Sequence, residues 1–298
     1  MGLAACGSSG GDGSSGSPSA GATARAARLV IDVADDDGLP KRFRTSADLP
    51  GMFQGTDLRG LDTLRAAGSA APSARGLAAV AHRLSGRVVD VDLRQETHLL
   101  VNGMGVSWFG DHDDANLGLG HDQVLAAEQR ARAKLAQAGP VTFDYLPGKS
   151  VRPGGPVGDP RQVRTEREAA TAAGLDYLRL TVPDHHRPQN EEVDRFVTFV
   201  RGLRPSTWLY FHCRGGKGRT TTLMAMYDML RNARQVSFAD ILHRQQLIGG
   251  VDLLGGDDTS GRPAAEREKF LRSFYTYAAG NRDGFATPYG KWSARSES

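Results

Sequence analysis

Apolar positions along the chain group into short runs separated by longer amphipathic segments. The apolar runs are rich in Val, Leu, Tyr and Phe, and their length is that of strands in a sheet. They are found at residues 27–33, 88–94, 141–145, 177–182 and 208–211. Because longer helical patterns separate these runs, the chain predicts an α/β fold: a central, mostly parallel sheet with helices on both faces.

The longer segments are predicted to be helices; in the first of them Leu77, Val80, Ala81 and Leu84 share one face, whereas the second is polar and alanine-rich. They are predicted at residues 73–84, 123–138, 164–173, 191–203, 220–230, 237–247 and 263–279. Ser73, Asn190 and Ser237 precede three of these patterns and are predicted to cap them, because their side chains can accept a hydrogen bond from the first free backbone N–H groups.

The composition changes sharply at a few points along the 298 residues. A polar, alanine-rich and then Pro- and Gly-rich stretch begins near residue 111, which predicts a small domain inserted into the main one. We therefore predict a main domain at 27–110 and 164–285, an insertion at 111–163, and a C-terminal tail at 286–298. The length suits one large domain of this kind.

The first 26 residues differ from the rest. Residues 7–21 are almost all Gly, Ser, Ala and Pro, a composition that cannot bury a core and predicts a flexible tether. In front of it, residues 3–7 resemble a bacterial lipobox in which Cys6 would be acylated. The sequence thus predicts an exported lipoprotein attached to a membrane only through Cys6; the alternative is a disordered Ala- and Gly-rich start.

Charge and cysteine content exclude several classes of function. The net charge of +3 is too small to predict nucleic-acid binding. The two cysteines, Cys6 and Cys213, provide neither a disulfide framework nor a cysteine-based metal site. His185 and His186 are adjacent, so they point in different directions, and no carboxylate cluster accompanies them. We predict no metal and no cofactor.

The most informative stretch is residues 208–222, WLYFHCRGGKGRTTT. It reads as a strand, a glycine-rich loop and the start of a helix, an arrangement that directs backbone N–H groups and the positive end of a helix dipole at an anion. Gly215, Gly216 and Gly218 let the backbone approach that anion closely. The pattern predicts a phosphate-binding loop.

Four residues in this stretch have predicted chemical roles. Cys213 is the candidate nucleophile, because the loop and the helix terminus stabilise a thiolate. Arg219 presents a planar fork to two phosphate oxygens. Thr220 can donate a hydrogen bond to the thiolate. His212 either orients the loop from below or is an ordinary buried histidine.

Asp184 is the candidate general acid for the leaving oxygen. It lies at the end of the 177–182 strand, in a loop bounded by Pro183 and Pro188. The alternative is an aspartate that only stabilises a turn.

Additional cations surround the predicted site. Arg214 and Lys217 lie within the loop itself, and Lys41, Arg42, Arg44 and Arg187 occur in other segments. One phosphate needs only Arg219 and the backbone, so a cluster of cations favours a substrate with several phosphates.

Four segments together resemble a known family. They are FRTS at 43–46, DLRQETH at 92–98 with NGMGVSW at 102–108, VPDHHRP at 182–188, and the loop from His212 through Met226. The loop resembles the signature of cysteine-based protein tyrosine phosphatases. The four segments resemble the protein-tyrosine-phosphatase-like inositol polyphosphatases, or cysteine phytases, over residues 39–250.

The resemblance implies a phosphatase core with a small partial β-barrel insertion. It also implies stepwise, metal-independent hydrolysis of inositol hexakisphosphate through a phosphocysteine. By this resemblance Cys213 is the nucleophile, Arg219 the clamp and Asp184 the acid, while Arg44 and His185 contact substrate. Gln245 or Gln246 would position the hydrolytic water.

Two other functions stay open at this point. One is a phosphotyrosine or phosphoinositide phosphatase, since Lys217 also resembles the lysine of phosphoinositide phosphatases with basic loops. The other is a phosphate-binding module without catalysis. The joint presence of nucleophile, clamp and candidate acid favours an enzyme. The sequence does not indicate an oligomeric state.

Overall fold

A computed structural model describes residues 27–48, 55–110, 116–147, 150–255 and 262–296. The predicted tether and Cys6 lie outside these residues, so the lipoprotein hypothesis stays a prediction. The described strands are β1 (Arg28–Val33), β2 (Arg44–Thr45), β3 (Ala66–Ser69), β4 (Val88–Arg94), β5 (His98–Val101), β6 (Met104–Phe109), β7 (Val141–Thr142), β8 (Asp144–Tyr145), β9 (Val157–Gly158), β10 (Val163–Arg164), β11 (Asp176–Val182) and β12 (Trp208–His212). The described helices are α1 (Ala74–Leu84), α2 (His121–Ala136), α3 (Glu166–Ala172), α4 (Asn190–Arg201), α5 (Gly218–Asn232), α6 (Phe238–Leu247), α7 (Arg262–Gly280) and α8 (Tyr289–Ser296).

The main sheet has the strand order β11-β4-β12-β3-β2. Its first four strands run parallel, and only β2 is antiparallel to its neighbour. Because parallel strands end at one edge, the residues that follow β4, β11 and β12 are brought together there. That edge carries Glu96, Asp184 and Cys213. The predicted α/β class is confirmed.

Helices cover both faces of this sheet. One core contains Phe211 of β12 with residues of α4, α5, α6 and α7, and the opposite core contains Tyr210 with residues of α1 and α3. Helix α5 is buried along most of its length, as expected for a helix between the sheet and a second layer of helices. This burial fixes the helix whose first turn carries Arg219 and Thr220.

A second sheet has the order β10-β5-β6-β1-β8 and its own small core around Val106 and Phe143. Three of its strands, β1, β5 and β6, lie outside the 111–163 segment. Strand β8 and helix α2 come from within it. The sheet thus combines both parts of the chain, while its closure into a partial barrel and the domain boundaries stay predictions.

Several local predictions agree with the structure. Ser73 and Ser237 cap α1 and α6 by accepting hydrogen bonds from Gly76 N and Asp240 N. Asn190 does not cap α4: the N-cap is Gln189, and Asn190 is already helical. Its side-chain oxygen accepts a hydrogen bond from Arg187 at 2.9 Å instead.

The C-terminal segment is more ordered than the predicted tail. Residues 286–298 include α8, and Tyr289 belongs to the main core with 4% of its surface exposed. Strand β3 was also absent from the predicted elements, because its Ala-Ala-Gly-Ser sequence lacks β-branched residues. Among the described helices, none has the length and apolar character needed to cross a membrane.

Candidate active site

The phosphate loop, residues 213–217, connects the end of β12 to the start of α5. It lies against the end of β3: a Cβ atom added to Gly216 would be 2.4 Å from Ala70 N, and Gly216 has φ +69°. Only glycine fits this position without moving the backbone. The predicted close approach of the loop backbone is therefore built into the main sheet.

Cys213 lies at the bottom of this loop with 3% of its surface exposed. Thr220 Oγ1 donates a hydrogen bond to its sulfur at 3.2 Å. Burial alone would raise the pKa of Cys213, but the Arg219 charge and the Thr220 hydroxyl outweigh burial and lower that pKa from its ordinary value. The thiol is therefore poised to act as a nucleophile.

Arg219 is held from below by Glu96, a residue to which the sequence assigned no role. Nη1 and Nη2 lie 2.6 and 3.0 Å from the two carboxylate oxygens, and Nη1 also donates to Val182 O at 3.2 Å. The Nε–H of Arg219 is buried without a hydrogen-bond partner among the described residues. The guanidinium thus keeps one edge available for a ligand.

Glu96 is itself fixed by a buried chain of charges. Arg94 Nε lies 2.8 Å from Glu96 Oε1, and Arg94 Nη2 lies 2.8 Å from Asp32 Oδ2 on β1 of the small sheet. Burial alone would raise the pKa of Glu96, but the adjacent arginines hold it well below its usual range. Glu96 follows β4, and it is the pairing of β4 with β12 in the folded sheet that brings this carboxylate to Arg219.

Asp184 lies next to Arg219, which is the position that a general acid for this site requires. Its Oδ1 is 3.1 Å from Arg219 Nη2, and its side chain is 20% exposed. His185 Nε2 lies 3.4 Å from Asp184 Oδ2. Arg219 is thus the shared partner of a buried carboxylate, Glu96, and a partly exposed one, Asp184.

His212 is fully buried beneath the loop, between two carboxylates. Its Nε2 lies 3.0 Å from Asp90 Oδ1 and 2.6 Å from Glu166 Oε1. Burial disfavours a charged imidazole, yet these carboxylates raise the pKa of His212 well above its usual value. Burial also raises the pKa of Asp90 to about 7. This buried position agrees with both alternatives for His212, a residue that orients the loop and an ordinary buried histidine. It gives no evidence of a contact between His212 and a ligand.

Among the residues that the structure describes, two buried groups have ligand atoms near enough to one another for a metal ion: Asp90, Glu166 and His212, and Asp92, His98 and Glu166. In the first group the 2.6 Å contact is shorter than the spacing of about 3.4 Å between two ligands on a tetrahedral zinc ion. Such a distance suits a protonated imidazole beside a carboxylate.

The predicted cations divide into two sets: those whose side chains contact other groups of the protein, and those whose side chains are exposed at the loop. Arg44 is 5% exposed, and its guanidinium donates to Gly216 O at 3.0 Å and to Thr221 Oγ1 at 3.2 Å. It therefore supports the phosphate loop from the side. A direct contact between Arg44 and a ligand stays a prediction.

Arg187 is likewise engaged with the protein. Its Nη1 donates to Pro188 O and Asn190 Oδ1, both at 2.9 Å, and its guanidinium lies over the Phe270 ring. Arg214 lies over the ring of Phe109, 4.9 Å from its centroid. Lys41 and Lys217 belong to the second set, with exposed side chains at the loop.

The water-positioning prediction meets two different environments. Gln245 is 1% exposed, and its amide donates to Asp228 Oδ2 at 2.9 Å. Gln246 is exposed on α6. Gln245 thus uses one amide N–H within the protein, while its Oε1 has no hydrogen-bond partner among the described residues, and the water-positioning role stays a prediction.

The site geometry agrees with what the chain resembles. The model of the PTP-like phytase family matches residues 91–231 of this chain. The description of that family is "Inositol hexakisphosphate". A PTP-like phytase from Bdellovibrio bacteriovorus is 34% identical, with 91% of this chain and 96% of that one covered and a TM-score of 0.72. The chain belongs to the PTP-like phytase family. Members of this family are phosphatases that act on phosphate monoesters.

Two longer relatives extend the comparison. The PTP-like myo-inositol phosphatase from Mitsuokella multacida is 34% identical over 94% of this chain, with a TM-score of 0.86. Effector protein hopD2 from Pseudomonas syringae pv. tomato is 35% identical over 85% of this chain. This phytase-family chain spans 49% of the Mitsuokella chain and 56% of hopD2, about half of each.

The phytase match covers the chemical centre but not all of its supports. Residues 91–231 include Glu96, Asp184, Cys213 and Arg219. Arg44 and Gln245 lie outside this range, and so does α7.

Proposed function

We propose that this protein hydrolyses inositol polyphosphates such as inositol hexakisphosphate, one phosphate at a time, through a phosphocysteine and without a metal. The observation that carries this proposal is the convergence of Cys213, Arg219 and Asp184 at one sheet edge, beside exposed Lys41 and Lys217. The Mitsuokella relative, whose structure is a complex with myo-inositol-(1,3,4,5)-tetrakisphosphate, supports the substrate class.

In the first step the Cys213 thiolate attacks phosphorus and the bond to the ester oxygen breaks. The free edge of Arg219 and the loop N–H groups hold the non-bridging oxygens, where negative charge accumulates. An alkoxide is a poor leaving group, so Asp184 transfers its proton to the departing oxygen. The products are a phosphocysteine and the free inositol hydroxyl.

In the second step water attacks the phosphocysteine. Asp184, now a carboxylate, accepts the proton of that water, and the P–S bond breaks to release inorganic phosphate. The departing thiolate is stabilised by Thr220 and Arg219, the groups that lower the pKa of Cys213. The enzyme is then ready for the next phosphate.

Extra positive charge supports a polyphosphate over a singly phosphorylated substrate. Once one phosphate occupies the loop, the neighbouring phosphates of an inositol ring lie outside it. Lys41 and Lys217 are exposed there, and each can pair with an additional phosphate.

The test is phosphate release from inositol hexakisphosphate in the presence of a chelator. We expect activity in the native protein, loss in Cys213→Ser, and a phosphocysteine trapped by rapid acid quench. Activity that persists in Cys213→Ser contradicts the proposal. Turnover of a phosphotyrosine peptide with no release from inositol hexakisphosphate would instead assign the site to phosphotyrosine.

A further inference from the structure

Helix α7 packs in the main core, and one of its side chains lies next to the active site. Its Arg267 is 4% exposed and donates from Nη2 to the backbone oxygen of His185 at 2.7 Å. His185 directly follows Asp184, so this hydrogen bond lies one residue from the candidate acid. A hydrogen bond from a charged donor is among the stronger ones in proteins.

The backbone at His185 needs such support. Its φ is +63°, in the left-handed region that costs side-chain-bearing residues free energy relative to the usual conformations. A conformation of this kind persists when surrounding contacts determine it. The buried guanidinium of Arg267 is one such contact, because it fixes the direction of the His185 carbonyl.

A second contact joins the other end of the acid loop, residues 183–188, to the same helix. The Arg187 guanidinium lies 5.4 Å from the centroid of the Phe270 ring, and Phe270 is 4% exposed in the main core. Arg267 and Phe270 are three residues apart and therefore neighbours on one helical face. The acid loop thus rests on α7 at two points.

Arg267 also lies close to the phosphate loop. A Cβ atom added to Gly218 would lie 3.8 to 3.9 Å from its guanidinium atoms. One rigid side chain therefore sits between the acid loop and the first residue of α5. Arg267 is thus in contact with both the residue that follows Asp184 and the start of the helix that follows the phosphate loop.

We propose that Arg267 is a positioning residue, which holds the acid loop so that Asp184 reaches the leaving oxygen. The inference rests on the proposed function, because it assigns Asp184 as general acid. It differs from a substrate-binding role, in which Arg267 would contact a phosphate independently of Asp184, so that its loss would add to the loss caused by Asp184→Asn.

The test compares kcat/KM for p-nitrophenyl phosphate, whose leaving group departs without a proton, and for inositol hexakisphosphate. We expect Arg267→Met to lower kcat/KM roughly 10- to 100-fold for the inositol substrate and less than about threefold for the aryl one, since misplacing a catalytic group costs this much. Arg267→Lys should lie between Met and the native protein. Lys269→Met, an exposed cation on the same helix, is the matched control and should change neither value.

A double-variant comparison separates the possible outcomes. If Arg267 acts through Asp184, then Asp184→Asn with Arg267→Met is no slower on the inositol substrate than Asp184→Asn alone. Equal losses on both substrates for Arg267→Met or Arg267→Lys, or additive losses in the double variant, overturn the inference. If Asp184→Asn itself slows both substrates equally, the proposed acid fails, and the role of Arg267 fails with it.

Discussion

The active site has a floor and a rim that differ in how their charges are held. The floor is the buried set Glu96, Arg219, Thr220 and Arg44, each of which makes at least one hydrogen bond to another protein group. The rim consists of Lys41, Lys217 and Asp184, whose side chains reach solvent. The floor thus sets the geometry that any phosphate monoester requires, whereas the rim meets the parts that distinguish one substrate from another.

The difference is clearest at Arg219, which has a carboxylate partner on each side. Glu96 is completely buried and binds two nitrogens of the guanidinium, while Asp184 approaches one nitrogen from a partly exposed loop. A fixed partner orients the guanidinium. A partner on a loop is free to exchange it for a phosphate and to serve as a proton donor.

The largest effect is expected from Glu96→Gln in the floor. Neutralising Glu96 removes the buried carboxylate shared by Arg94 and Arg219, and leaves Arg219 with only the partly exposed Asp184, which costs about 3–5 kcal/mol of stability. Arg219 also loses its orientation, so kcat/KM should fall about 100-fold on aryl and inositol substrates alike. Urea unfolding and steady-state kinetics measure the two effects.

Glu168→Gln is the matched control, because Glu168 makes an exposed ion pair with Arg132 at 2.9 Å, and the hydrogen bond that it accepts from Thr165 N at the start of α3 can be kept by Gln. Such surface pairs contribute about 0–1 kcal/mol. A Glu96→Gln enzyme with native activity would mean that the floor does not require this contact.

The next largest effect is expected from Asp184→Asn in the rim. Loss of the proton donor should lower kcat/KM for inositol hexakisphosphate about 100-fold. For p-nitrophenyl phosphate the loss should be several-fold at most, since that leaving group needs no proton. Equal losses on the two substrates would contradict the acid role and remove the functional distinction between Asp184 and Glu96.

Thr220→Val should change the pH dependence of the nucleophile. The hydroxyl donates to the thiolate and so lowers the pKa of Cys213. Without it that pKa rises, and the thiolate fraction at a given pH falls. The pH midpoint for alkylation of Cys213 by iodoacetamide should therefore move upward, and the acidic limb of kcat/KM should move with it.

Thr222→Val is a matched control on the same helix. Its hydroxyl is buried without a hydrogen-bond partner among the described residues. The alkylation midpoint should stay at the native value in Thr222→Val. A shift of equal size in both variants would point to helix packing as the cause.

The smallest effect is expected from Lys217→Gln in the rim. One exposed cation pairs with one phosphate in high dielectric, so KM for inositol hexakisphosphate should rise about two- to fivefold, corresponding to up to about 1 kcal/mol. The difference should shrink at high salt. KM for p-nitrophenyl phosphate should change little, and Lys291→Gln on α8 provides the same charge change away from the loop.

The spacing of apolar residues along the chain predicted most elements of the main sheet and its helices. Apolar runs and caps predicted β4, β11, β12 and the helices α1, α5 and α6 to within a few residues. These elements are strongly patterned because each buries one face. Strand β3 was not predicted, since its small residues have low strand propensity, and one of them, Gly68, lies against Met224 and Thr220 with no room for a Cβ atom.

The sequence by itself determined the chemistry of the loop. Cys213, Arg219 and Thr220 lie within eight residues, so local geometry alone brings the candidate nucleophile, the candidate clamp and the hydroxyl together. Asp184 was within reach of prediction for a related reason: it ends a parallel strand, and such ends share one edge of the sheet.

Only the tertiary structure decided how the other charges are used. The sequence predicted the same role, contact with substrate, for Arg44, Arg187 and Lys217. In the structure Arg44 and Arg187 hydrogen-bond to loops of the protein, whereas Lys217 is exposed. Glu96 and Arg267 became visible only through contacts across 123 and 82 positions of the chain. The physical reason is that burial and the available partners set the role of a charged side chain, and both depend on residues that are distant in sequence.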